Sequence, residues 1–82
     1  MIIYAISSIH HNYIYVGMTS DLHRRISDHN KGYEKTTRAY APFSVIYTEE
    51  CADRKEARRR EKYWKGGSGK EKLKALRDSQ QE

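Results

Sequence analysis

Ile2-Ile3-Tyr4-Ala5-Ile6-Ser7 opens the chain with branched and aromatic residues, the types that suit a pleated, half-buried surface, and predicts a strand. A polar turn from Ser8 to Asn12 separates it from Tyr13-Ile14-Tyr15-Val16-Gly17, a second strand, so the pair reads as a hairpin. Side chains alternate across a strand, which puts Tyr13, Tyr15 and Gly17 on one face and Ile14 and Val16 on the other. Beyond Thr19-Ser20-Asp21, whose oxygens suit a helix N-cap, the apolar spacing lengthens. Leu22, Ile26 and His29 fall on one stripe that also carries Arg25, predicting a helix over 21–30 with Gly32 as its stop.

Residues 33–42 show no period and read as a loop, and Phe43-Ser44-Val45-Ile46-Tyr47 reads as a third strand. Asp53 can cap a second helix over 54–65, on which Ala57, Glu61 and Trp64 share a face opposite a basic remainder. Gly66-Gly67-Ser68-Gly69 reads as a helix break, followed by a short third helix over 70–77 with Leu73, Ala75 and Leu76 inward. The order ββαβαα predicts a single α+β domain over 1–77 around a three-stranded antiparallel sheet, with 78–82 as a frayed tail.

Length and cysteine content narrow the class. At 82 residues the chain makes one domain with a thin core. The single cysteine, Cys51, excludes an internal disulfide framework and a cysteine-rich zinc site. The opening apolar run has no basic leader and is too short for a signal peptide or a membrane span. A soluble, cytoplasmic protein with no membrane partner is expected.

Charge changes the picture more. The net charge is +5, but residues 1–53 hold five Lys/Arg against six Asp/Glu, whereas residues 54–82 hold eleven against five. A basic surface gathered in the last third suits a polyanion, because phosphate contact releases counterions. A solvated helix face is the plainer alternative. Two charged residues also stand where periodicity calls for apolar ones: Arg25 beside Leu22 and Ile26, and Glu61 between Ala57 and Trp64. Each is expected to face a cleft, a partner or a metal, because an unpaired charge facing a core is costly. An ion pair between the two helices, or solvent exposure at the stripe's edge, would also explain them.

Ile2-Ile3-Tyr4, then Tyr15-Val16-Gly17, then Leu22-His23-Arg24-Arg25-Ile26-Ser27-Asp28-His29 and Arg58-Arg59-Arg60-Glu61-Lys62-Tyr63-Trp64 together resemble the GIY-YIG endonuclease family. The likeness spans about residues 2–65 and is strongest to the small stand-alone bacterial members. The signature is shared with homing endonucleases and the excision-repair incision subunit. The resemblance implies a metal-dependent hydrolase of DNA phosphodiesters, with RNA left open. It implies Tyr15 as general base for the attacking water and Tyr4 orienting that water or a phosphate oxygen. Arg25 would hold the scissile phosphate, His29 would relay a proton or touch phosphate, and Glu61 would be the sole protein ligand of Mg²⁺ or Mn²⁺.

Arg58, Arg59, Lys62 and Lys65 are the expected nucleic-acid contacts. Gly17 would leave room for the phosphate. The chain departs from the pattern with Ile2 for Gly, Val16 for Ile, Met18 where some members carry Lys, and no Asn after Asn30. Apart from the motif, Tyr4, Tyr13, Tyr15 and Tyr47 read as ordinary sheet aromatics. A non-catalytic nucleic-acid-binding module, or an interaction protein using its basic face, are the alternatives from other classes.

Overall fold

The computed structural model describes residues 1–80. Strand β1 (Ile2–Ser8) lies between β2 (Ile14–Thr19) and β3 (Phe43–Glu50), antiparallel to both. Helices α1 (Leu22–Asn30), α2 (Arg54–Lys65) and α3 (Gly67–Gln80) complete the ββαβαα order, so the α+β reading holds. Every residue of β1 from Ile3 to Ser8 is buried, because the central strand is covered on both faces. That is why its sequence from Ile2 to Ile6 is an unbroken apolar run.

The two faces of the sheet carry different chemistry. Ile3, Ala5, Val16, Ile46 and Cys51 pack beneath Ala57 and Trp64 of α2 and Leu73 of α3. Tyr4, Ile6 and Phe43 form the other face with Tyr13, Tyr15, and Leu22 and Ile26 of α1. The alternation read from β2 therefore stands: Ile14 and Val16 face one way, Tyr13 and Tyr15 the other. Asp21 Oδ1 accepts the Arg24 amide at 3.2 Å to start α1, and Asp53 Oδ1 accepts the Glu56 amide at 2.8 Å to start α2. Gly32 ends α1 at φ 78°, a left-handed conformation natural to glycine.

Three expectations need revision. β3 continues past Tyr47 to Glu50, because Ile2 and Ile3 at the start of β1 still offer it a partner. The glycine-rich stretch breaks the helix at Gly66 alone, and α3 begins at Gly67. A Cβ at buried Gly69 would collide with the Tyr63 carbonyl and Trp64 backbone, so this glycine permits close packing of two helices inside the first turn of α3. That helix also runs through Asp78 to Gln80, part of the expected tail; residues 81–82 lie outside the described residues.

Gly17 is placed differently from expectation too. Tyr4 pairs with Gly17 across the β1–β2 ladder, and a Cβ at Gly17 would lie 2.6 Å from Tyr4 Oη and 3.0 Å from Tyr15 Cε2. The space at Gly17 is filled by the Tyr4 ring, not left for a phosphate. Gly17→Ala is therefore expected to cost about 1–3 kcal/mol by overpacking a buried site. Urea unfolding measures it, and the penalty should shrink in a Tyr4→Leu background, where the obstructing ring is gone.

Candidate active site

Strand alternation turns Tyr4 of β1 and Tyr15 of β2 to the α1 face, and helical spacing turns Arg25 and His29 toward them. The Tyr15 and His29 ring centroids lie 5.1 Å apart, and those of Tyr4 and His29 5.7 Å. Four of the five expected catalytic residues thus gather on one side of the sheet.

His29 holds the group together. Its ring is fully buried, with Nε2 2.8 Å from the Tyr4 hydroxyl and Nδ1 2.8 Å from Thr37 Oγ1. Burial, with Arg25 nearby, pushes its pKa below the ordinary histidine value, so the ring is neutral. A neutral imidazole carries one N–H, so one nitrogen donates and the other accepts along Tyr4–His29–Thr37. Tyr4 is 1% exposed. Burial, then the neighbouring Tyr15, push its hydroxyl up to about 12, against the opposing pull of Arg25. Tyr4 is therefore a protonated hydrogen-bonding group near neutral pH. Tyr4 and His29 lie under the surface, whereas Tyr15 and Arg25 are partly exposed.

Arg25 lies beside Tyr4 and forms an ion pair with Glu34, Nη2 to Oε1 at 2.5 Å. The pairing with Glu61 considered from sequence is not what forms; Glu61 has Lys65 at 3.5 Å, one turn along α2. Thr37 and Glu34 both come from the aperiodic loop after α1, which gave no periodic signal to single them out. Glu49 was likewise not singled out from sequence. Its carboxylate accepts from Arg60 at 2.5 and 3.0 Å, Trp64 Nε1 at 3.1 Å and Tyr47 at 2.7 Å. Those bonds, the Arg60 guanidinium first, hold its pKa down to about 2 and tie β3 to α2.

Glu61 stands in the other layer, on α2, whose Ala57 and Trp64 pack on the opposite face of the sheet. Its position on that helix is nevertheless informative. Arg60 turns toward Glu49 on β3, so at 100° per residue Glu61 lies on the flank turned toward β2, the edge strand that carries Tyr15. Arg58 and Lys65 share that flank and Lys62 lies just beyond, while Arg59 points almost directly away from the sheet, about 160° around the helix from Glu61; Arg58, Arg59, Lys62 and Lys65 are all exposed.

No group of three or more His, Cys, Asp or Glu side chains able to hold a metal occurs among the described residues. A magnesium-type ion does not require one, since it keeps several waters and takes one or two carboxylates. Glu34 and Glu49 are closed by arginines. Glu61, 20% exposed with a loose lysine neighbour, keeps lone pairs available, so the residue fits a single-carboxylate ligand.

The α1 face thus carries a buried Tyr–His pair beside a partly exposed arginine, while α2 presents exposed basic residues on the other layer. The chain belongs to the GIY-YIG family: the model for the GIY-YIG catalytic domain matches residues 1–74. The family implies nuclease activity and a nucleic-acid substrate. A UPF0213 protein of Streptococcus agalactiae is 34% identical over 70 residues, 84% of this chain and 80% of that protein. The UPF0213 protein YazA of Bacillus subtilis is 38% identical over 52 residues, 62% and 52% of the two chains. A UPF0213 protein of Desulfotalea psychrophila is 40% identical over 50 residues, 58% and 46%. The aligned part thus covers about half of the last two relatives' own length. No solved structure matches the chain. No helix among the described residues is long and apolar enough to cross a membrane.

The neutral, buried His29 has a pH signature. Its folded-state pKa lies below the unfolded value near 6.5, so the unfolded chain binds the extra proton first. Its contribution to stability is full above pH about 6.5 and falls as pH drops toward the folded value. Urea unfolding between pH 7.5 and 5 (roughly the histidine range) should show stability declining on acidification, with a shallower decline in His29→Gln.

Proposed function

We propose that the domain is a metal-dependent DNA endonuclease hydrolysing phosphodiester bonds at the surface formed by Tyr15, Arg25 and Glu61. The observation that carries this reading is the cluster on the α1 face, where a partly exposed tyrosine and arginine stand on a buried Tyr4–His29–Thr37 support. Hydrolysis requires an activated water, neutralisation of charge on the phosphoryl oxygens and a fixed geometry. Tyr15, acting as its phenolate, takes the proton of the attacking water as the new P–O bond forms and the ester P–O bond breaks, and the leaving oxygen takes a proton from solvent. Arg25 supplies fixed donors to the phosphate as charge builds on it. Tyr4, protonated and held by His29, fixes the wall against which both work. Glu61 would hold Mg²⁺ or Mn²⁺, and the ion would supply Lewis-acid stabilisation of phosphate oxygens.

Supercoiled plasmid with Mg²⁺ or with EDTA tests the reading directly. Cleavage is expected only with the metal, and Glu61→Gln should abolish it while DNA affinity persists. Arg25→Lys should keep affinity yet lose about a hundredfold or more in single-turnover rate, as when an oxyanion-site donor is removed. The exposed Arg24→Lys should be nearly silent, being about 100° around the helix. Metal-independent binding with no cleavage under any condition would instead assign the fold a purely binding role.

The α2 geometry gives a second test. Neutralising Arg58, Lys62 and Lys65, on or beside the Glu61 flank, should lower DNA affinity across sequences and flatten its salt dependence by about 0.9 per lost contact. Arg59→Ala should change the slope far less. Equal slopes for all four variants would place the DNA on another face of α2.

A further inference from the structure

Arg25 already holds an anion. Its Nη2 lies 2.5 Å from Glu34 Oε1, and the two side chains are 30% and 32% exposed, so the pair is at the surface, where a phosphate approaches from solvent. We propose that Glu34 occupies, in the free protein, the place on Arg25 that a substrate phosphate takes, making Glu34 an internal competitor that sets how strongly a nucleic acid binds. This rests on the reading of Arg25 as the phosphate-holding residue.

The backbone allows the exchange cheaply. The Glu34 carbonyl accepts from the Thr37 and Arg38 amides at 3.2 and 2.9 Å, Thr37 is buried against His29, and Gly32 N–H bonds the His29 carbonyl at 3.2 Å. The main chain around Glu34 is therefore fixed at both ends, and the carboxylate leaves by side-chain rotation alone. Arg25 has less freedom, since α1 fixes its backbone and Tyr4 lies beside its head. A guanidinium fork takes a carboxylate or a phosphate with the same geometry, but two anions side by side on it repel. One must replace the other.

The loop is built to make that replacement favourable for a polyanion and not for a small anion. Lys31, Lys35 and Arg38 flank Glu34 and are exposed. A nucleic acid that displaces the carboxylate reaches cations around it at the same time, whereas a lone phosphate gains only Arg25. Glu34 thus acts as a selectivity residue: it occupies Arg25 in the free protein and raises the threshold for a substrate anion to take its place.

Glu34→Gln, which keeps shape and removes the charge, tests the proposal with a fluorescent oligonucleotide in EDTA and with plasmid cleavage in Mg²⁺. Binding should tighten about tenfold at low salt, equivalent to roughly 1.4 kcal/mol, with KM falling in step and kcat within roughly twofold. Glu71→Gln, an exposed carboxylate on α3, controls for the change in net charge. In an Arg25→Ala background the gain from Glu34→Gln should vanish, since no guanidinium remains to be released. An affinity gain no larger than that of Glu71→Gln, or the same gain without Arg25, overturns the proposal. So does a kcat loss of about tenfold or more at saturating substrate, which would make Glu34 an organiser of Arg25.

If Glu34→Gln fails to fold, titrating the oligonucleotide into the unaltered protein decides the matter by NMR. The Arg25 Nε–H and Glu34 carboxyl resonances should shift with one shared midpoint, and a Glu34 carboxyl that stays unperturbed at saturation overturns the proposal. The binding arms do not depend on cleavage. Tightening without any hydrolysis would defeat the nuclease reading and leave this one standing; hydrolysis without tightening would do the reverse.

Discussion

A fully buried histidine with both ring nitrogens bonded at 2.8 Å joins the central strand, the first helix and the loop beyond it. Losing either partner would strand a buried polar nitrogen, at a cost of about 1–3 kcal/mol. The Tyr4–His29–Thr37 chain is therefore both a support and a constraint. It fixes the Tyr4 ring against Gly17, fixes α1 over the sheet, and fixes the end of the loop that presents Glu34 to Arg25. The partly exposed side chains of Tyr15 and Arg25 stand beside groups that are buried from solvent.

The sheet divides the work. Its α2/α3 face is an ordinary apolar core built from Ile3, Ala5, Val16, Trp64 and Leu73, with close helix packing allowed by Gly69. Its α1 face is aromatic and polar, with Tyr4, Tyr15 and His29 packed together beside Arg25. Strand β2 is the seam between them, because Tyr15 looks to one face while the Glu61 flank of α2 turns toward the same strand from the other.

Charge follows the same division. Arg60, in the middle of the basic run, serves the fold by holding Glu49 on β3. The neighbouring bases that turn the other way are unused by the core. One helix thus contributes a staple to the sheet on one flank and exposed basic side chains on the other, and a simple count of positive residues does not separate the two.

Periodicity settled most of the architecture, since local rules govern it. Alternation sorted Ile14 and Val16 from Tyr13 and Tyr15; the 3.6-residue repeat put Arg25 and His29 on one stripe and Glu61 between Ala57 and Trp64; Asp21, Asp53 and Gly32 marked helix ends through backbone hydrogen bonding. Motif order then brought the family into view. What the sequence left open was long-range and side-chain specific. Nothing local says that Thr37 and Glu34, in an aperiodic loop, close on His29 and Arg25, or that the space at Gly17 belongs to the Tyr4 ring. Nor does it say that Gly69 belongs inside a helix. Those choices arise only when separate elements meet, because a hydrogen bond or an ion pair is decided by distances that chain spacing does not encode.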